Sequence, residues 1–451
     1  MSSPPTSSAT PQSGQLRRTL TLWNLIIYGI IVVQPTAPMP SFGVISKEAH
    51  GHVVTAILIA MVAMLFTAVS YGRMARVYPS AGSAYTYVGR ELHPSLGYLT
   101  GWSMTMDYLL NPLICIIWCS KAAGNVAPEV PYVVWAVGFA ALFTFLNLRG
   151  VKTSARINEG LAAGMAVVIV LFLIAAVRYL LRTAHPTAGF FLHPFYDPKT
   201  FSAPAVFTGT SIAVLTYLGF DGISTLSEEA ENPRRNILLA TVLVCLITGV
   251  LATVEVYVAQ LVWPSSTDFP DVDTAYVFVA GRAGGAILFQ IVNITLLVAN
   301  IGSGVAAHLA AARLLYGMGR DDAIPKSFFG AIEPRRGIPR NNVIFVAVLA
   351  LLGALLLSYQ LGAELLNFGA FIAFMGVNAA AFMHYFVRQK EKNLWSFLMP
   401  VLGFSICFFI WLNLRWQAKV AGIVWLAVGI AYGIYKTNGF RKNLSFDAAA
   451  E

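Results

Sequence analysis

Charge is what this sequence has least of. Only 11% of its 451 residues are Asp, Glu, Lys or Arg, against 57% apolar, whereas an ordinary soluble domain carries roughly 25% charged residues. So little charge cannot clothe a water-facing surface, and the chain reads as a polytopic membrane protein. No polar stretch exceeds about 30 residues, too short for a separate soluble domain. A secretory signal is also missing: the first 15 residues are rich in Ser, Pro and Thr, lack a basic start, and read as a disordered cytoplasmic tail. Cysteine is scarce. Cys115, Cys119, Cys245 and Cys407 all fall in apolar runs, and no nearby His or second Cys pair completes a metal site, so they read as small buried residues. No nucleophile and base pair up as in an enzyme, and no run carries the polar stripe a channel needs. The net charge of +9 is spread through short loops rather than clustered into a nucleic-acid footprint. Neither a cofactor, a metal nor a nucleic acid is called for.

What is present is a series of apolar runs of spanning length, near 22–46, 53–72, 95–120, 131–149, 158–181, 203–230, 236–262, 284–310, 341–358, 363–387, 395–414 and 419–436. That predicts an all-α membrane protein of twelve transmembrane helices. Between the second and third runs, "YPSAGSAYTYVGRELHPSLGYL" is only half apolar and reads as an amphipathic start to a long third helix, capped by Ser80 or Ser83 and interrupted at Pro94. The basic residues Arg73 and Arg76, Arg149 and Lys152, Arg234 and Arg235, and Arg388 and Lys390 all fall on one side of such a topology. The positive-inside rule makes that side, and both termini, cytoplasmic. Multi-pass insertion in the cytoplasmic (inner) membrane is expected.

Two runs are interrupted near their middles. The first reads "YGIIVVQPTAPMPSFGVI", with Pro35, Pro38 and Pro40 close together; the sixth reads "TYLGFDGIST", with Gly219 and Gly222 around Asp221. Proline and glycine free backbone groups that lipid cannot satisfy. Placed five spans apart, the breaks suggest inverted five-helix repeats, at about 21–182 and 203–388, whose interruptions meet at the midplane to form a polar site. Residues 395–437 are then two extra helices within one domain over 21–440, between tails at 1–20 and 441–451. The expected substrate contacts are Gln34, Thr36, Ala37 and Ser41 from the first break, and Tyr217, Gly219, Phe220, Asp221 and Gly222 from the second. Asp221, three residues before Ser224, also suits a helix N-cap.

Ionisable groups at membrane depth are functional candidates. Asp107 in the third span, Glu255 in the seventh and His308 in the eighth are each candidates for coupling, with a buried hydrogen-bonded side chain as the alternative; Asp107 is a candidate for substrate as well. In "SEEAENPRRN", Glu228 and Glu229 against Arg234 and Arg235 read as a turn at Asn232-Pro233 with some character of a cytoplasmic latch. Small residues at Gly160, Gly164, Gly302 and Gly304 suit close helix packing.

In order, "SAGSAYTYV", "GWSMTMDYLL", "GFDGISTLSEEAENPRRN", "RLLYGMGRDDAIP" and "NFGAFIAFMGVN" resemble the amino acid–polyamine–organocation (APC) permeases, most closely the branch with bacterial putrescine importers, over about residues 20 to 440. The resemblance implies the LeuT-type 5+5 inverted-repeat fold with broken first and sixth helices. It implies secondary transport of an amino acid, amine or polyamine by alternating access, as symport or exchange, with H+ as the coupling ion. It also implies a substrate held between 34–41 and 217–222, with Phe220 near the site and the third, eighth and tenth spans lining it. The chain departs from the family in three places. "QPTAPMPS" replaces the Gly-Ser-Gly turn of amino-acid members, Pro40 stands where the putrescine branch tends to have an aspartate, and Met165 stands where proton-coupled relatives often have a lysine. A non-transporting sensor on the same scaffold is the alternative of another class. Oligomeric state stays open.

Overall fold

The structure is a computed structural model that describes residues 19–79, 83–149, 155–183, 189–227, 229–320, 324–333 and 337–437. Both predicted tails, for the most part, together with Ser80, Lys152 and Glu228, lie outside the described residues. The described chain is helical: α1 (Leu22–Val33), α2 (Phe42–Glu48), α3 (Val53–Val77), α4 (Ser83–Glu91), α5 (Pro94–Gly124), α6 (Tyr132–Leu148), α7 (Ala155–Thr183), α8 (Ala203–Ala213), α9 (Pro233–Val262), α10 (Ala275–Arg320), α11 (Lys326–Phe329), α12 (Arg340–Leu356), α13 (Tyr359–Ala381), α14 (Leu394–Leu412) and α15 (Trp416–Thr437). Among the described residues, β pairing is limited to the isolated bridges Leu20–Ala230 and Glu333–Ile338. Among the described residues, eight helical stretches are long and apolar enough to cross a membrane, while α1, α6 and α12 are shorter apolar helices. In lipid each backbone group must be satisfied within its own segment, which is why helix is the form these runs take.

The apolar residues go to two places. One set fills the core between α3, α9, α13 and α5. The other faces outwards, including Leu181 at 82% exposed and Ile287 at 78%, a surface suited to acyl chains and costly in water. Within the bundle, close approach rests on missing side chains: a Cβ on Gly72 of α3 would lie 2.5 Å from Leu238 Cα of α9, and one on Gly369 of α13 would lie 2.3 Å from Ser103 O of α5. Gly304 likewise meets Phe143, whereas Gly160 and Gly164 have nothing within 4 Å, so the small-residue reading holds for the first and fails for the other two.

Local signals explain where helices start. Pro233 opens α9 behind a left-handed Asn232, at φ 49°, since proline is pre-shaped for the first helical position. Pro94 opens α5 in the same way, with the His93 side chain accepting from the Ser95 amide. The predicted amphipathic entry to the third span is therefore a separate helix, α4. At its far end, α13 loosens into a π-helical turn, Phe382–Arg388.

The bundle has two distinguishable ends. At one, Glu91 of α4 is buried and paired with Arg388 (3.0 Å) and His384 (2.6 Å), while Arg73 pairs with Glu391 (3.1 Å). At the other, Lys121 of α5 pairs with Asp271 (3.0 Å) and Asp273 (3.7 Å), and Arg415 joins Glu48 of α2 to the buried Glu364 of α13.

Candidate functional site

Both predicted interruptions exist. The α1 helix stops at Val33, Gln34 turns to φ 68°, and helix resumes at Phe42 as α2. In the other segment α8 tightens into a 3-10 turn at Val214–Tyr217, breaks at Leu218 and Gly219, and continues as a second 3-10 stretch, Phe220–Leu226. The cap of that stretch is Gly219, at φ 112°, rather than Asp221, which falls in its first turn; only glycine adopts such a φ without strain. The breaks meet. A Cβ on Gly219 would lie 2.8 Å from Val32 Cγ1, and one on Gly29 would lie 2.6 Å from Ile223 Cδ1.

Beside this contact lies a cavity of about 440 Å³. Gln34, Asp107, Gly219, Asp221 and Gly222, five of the predicted contacts, line it. The other five do not. Phe220 is fully buried between Tyr71 and Phe374, with ring centroids 5.6 Å away in each case. Tyr217 is buried and donates to Ile57 O at 3.0 Å. Thr36 donates to Met165 Sδ, Ser41 to Pro38 O, and the Ala37 amide to Gln34 O at 3.1 Å. The Met39 amide is likewise taken by Thr36 O at 3.0 Å, so two amides of the first break are satisfied inside the turn.

Residues the sequence reading did not assign to the site complete its wall: Tyr28 from α1, Tyr108 and Asn111 from α5, Met165 from α7, Thr225, and Ser303 from α10. Helical spacing carried a signal for Asn111, one turn after Asp107 and on its face; the resemblance placed the third and eighth spans here, as α5 and α10 are, and the tenth span, α13, which supplies no lining residue among those described. Asp107 and Asp221 are close enough to act on each other electrostatically, and the backbone amides of Gly219, Asp221 and Gly222 lie near the Asp221 carboxylate. Among the described residues, no Lys or Arg lines the cavity. Two carboxylates sharing a low-dielectric space repel one another, and a positively charged solute relieves that repulsion.

The lining runs along α1, α7 and α10 towards the end that holds Glu91. Towards the other end stands a layer of aromatic rings: Phe42 against Tyr276 (5.5 Å) and Phe269 (6.0 Å), Tyr276 against Phe172 (4.8 Å), and Phe269 against Trp263 (5.5 Å). The remaining candidates lie outside the cavity. His308 is buried and bonded through Nε2 to Val343 O at 2.8 Å, tying α10 to α12. Glu255 is buried in α9. Among the described residues Glu229, Arg234 and Arg235 form no ion pair, and the Glu229 carbonyl accepts from the Thr19 and Leu20 amides instead. All four cysteines are free and buried, and no cluster of His, Cys, Asp or Glu suited to a metal occurs among the described residues.

A helical bundle with an apolar girdle and an acidic cavity at two helix breaks defines a membrane carrier. The family model for amino acid permeases matches residues 39–444. The chain is 35% identical over 447 residues, 96% of its length and 97% of the relative's, to the low-affinity putrescine importer PlaP of Escherichia coli (strain K12). It is 26% identical over 466 residues, 94% and 95% of the two lengths, to the branched-chain amino acid permease BcaP of Lactococcus lactis subsp. cremoris. A methylthioribose transporter of Bacillus subtilis is 24% identical over 460 residues, 95% and 96% of the two lengths. The chain belongs to the amino acid permease family, and it is a multi-pass membrane transporter.

Proposed function

We propose that this permease moves amino acids or related amines across the cytoplasmic membrane by alternating access, in proton-coupled symport or exchange, and that it is not an enzyme. Twelve spans in a LeuT-type arrangement account for the helices: α1 with α2 as the first, α8 with the 3-10 stretches as the sixth, α14 and α15 as the extra pair. The end that holds Glu91 is then cytoplasmic and the cavity faces inwards. The observation that carries the reading is the pair Asp107 and Asp221 on one cavity at the meeting of two helix breaks. The substrate amine is held by these carboxylates, and binding at the joint lets one set of helices rock against the rest.

A second reading, a polyamine importer, is favoured by the same two carboxylates, which match a dication, and by the Ala37 and Met39 amides being already bonded, which weakens the case for a bound substrate carboxylate. Counterflow in liposomes separates the possibilities. Exchange of labelled leucine, with putrescine inert, supports the first reading, and the reverse supports the second. Binding of either without exchange makes the protein a sensor and overturns both.

A further inference from the structure

Outside the cavity, one buried acid has no partner. Glu255 stands about two turns before the end of α9, is 0% exposed, and neither carboxyl oxygen has a hydrogen-bond partner among the described residues. Tyr276, at the start of α10, is equally buried, its hydroxyl is equally without a partner, and it lies within electrostatic reach of Glu255. Among the described residues of α1, α3, α7, α10 and the 3-10 stretches packed on α9, no other titratable or charged group acts on Glu255. On α9 itself the neighbouring Tyr257 points away, donating to Phe191 O.

Position gives this acid its meaning. Tyr276 belongs to the aromatic layer, edge-on to Phe42 and tilted against Phe172, and Phe42 opens α2, the far half of the first broken span. Glu255 therefore sits where the layer closes over the far side of the cavity. An ionised carboxylate sealed among apolar side chains is among the costliest groups a protein can bury. A hard metal cation would need several oxygen ligands, and among the described residues no cluster of His, Cys, Asp or Glu suited to a metal provides them. A proton needs only the carboxyl oxygen.

We infer that Glu255, with Tyr276 beside it, is a proton-binding site linked to closure of the Phe42, Phe172, Tyr276 and Phe269 layer. The acid takes its proton from solvent on the far side while the layer is open, and the layer seals over the neutral form. Opening returns the proton to the same side. Because the closed state binds the proton more tightly than the open state, acid favours closure, and closure favours protonation to the same extent. This rests on the transporter reading above and adds a control by pH that is separate from the substrate carboxylates.

The test is counterflow of putrescine and of leucine in liposomes, with the same pH inside and outside, stepped from about 5.5 to 8 across the range where a perturbed carboxyl titrates. The parent protein is expected to change its exchange rate at least threefold across this range, through one titration. Glu255→Gln, which mimics the neutral acid, is expected to hold the acid-side rate of the parent at every pH. Tyr276→Phe is expected to keep exchange and move the midpoint by about half a pH unit or more. A Gln variant with the parent's pH profile, a Gln variant that reconstitutes folded but exchanges at no pH, a Phe variant with an unmoved midpoint, or a pH effect that vanishes when sodium is replaced by choline would each overturn the inference. If the parent exchanges neither probe while still binding one, it is the transporter reading that falls, and the inference falls with it.

Discussion

At the scale of single residues, the site depends on side-chain charge at two positions and on the absence of a side chain at a third. Asp107 lines the same cavity as Asp221, and a charge-assisted contact to an amine is worth roughly 1.5–3 kcal/mol. Asp107→Asn should lower counterflow by about 10- to 100-fold, with membrane expression and thermal unfolding unchanged; undiminished exchange would reduce Asp107 to a packing role. Gly219 and Gly222 look alike in the sequence and behave differently in the fold. Gly219 has φ 112° and Val32 against it, whereas a Cβ on Gly222 meets nothing within 4 Å. Gly219→Ala should therefore lower the melting temperature and abolish exchange, through about 1–3 kcal/mol of backbone strain added to the clash. Gly222→Ala should keep the melting temperature of the parent. Equal unfolding profiles for the two variants would contradict the broken-helix geometry.

Among the elements, the connections at the two ends carry the polar work. In the link between α9 and α10, the Asp271 carboxylate accepts from the Asp273 amide at 2.8 Å and the Thr274 amide at 3.3 Å while pairing with Lys121. Burial, and then the charge of Asp271, push the Asp273 carboxyl above its ordinary range, with Lys121 opposing them. A carboxyl raised in this way favours the folded state below its unfolded value, and that contribution is lost as pH rises through the folded value. Asp273→Asn should accordingly raise the melting temperature near neutral pH by on the order of 1 °C, a gain that disappears towards about pH 4, whereas Asp271→Asn should lower it. The same sign for both variants would refute this division of roles. At the opposite end, burial and a hydrogen bond donated to Glu91 push the Tyr78 phenol up to about 12, so it stays a donor to that carboxylate at neutral pH. Ser83, which opens α4, meets the Ser224 hydroxyl at 2.7 Å, and Ser224 donates to the Asp221 carbonyl at 2.6 Å. A short chain of contacts thus joins the Glu91 cluster to the second helix break.

How much of this the sequence disclosed follows from the range of each interaction. The breaks at 34–41 and within 217–222, the Asn232-Pro233 turn and the interruption at Pro94 were legible, because proline and glycine act on their own backbone. Asp107 and Asp221 were legible because charge in an apolar run is conspicuous. Phe220 was not, since nothing in its spacing tells that its ring packs between Tyr71 and Phe374, away from the cavity. Ser303 and Tyr28 reach the cavity only because α10 and α1 converge there, and the Glu91, His384 and Arg388 cluster joins residues nearly 300 positions apart. Such contacts are set by tertiary packing and leave no local trace.

For the whole molecule, the apolar girdle and the two polar ends suit a chain lying across a bilayer, and the cavity opens towards the end proposed to be cytoplasmic. The four native cysteines, each no more than 4% exposed, have a practical consequence for testing that. The folded protein presents an almost blank surface to maleimides, so it serves as its own background for site-directed labelling. Ala306→Cys, on the α10 wall of the cavity, should react with a membrane-impermeant maleimide in inside-out vesicles and far less in right-side-out ones. Bound substrate should slow that reaction several-fold, and labelling from the opposite face would reverse the proposed orientation.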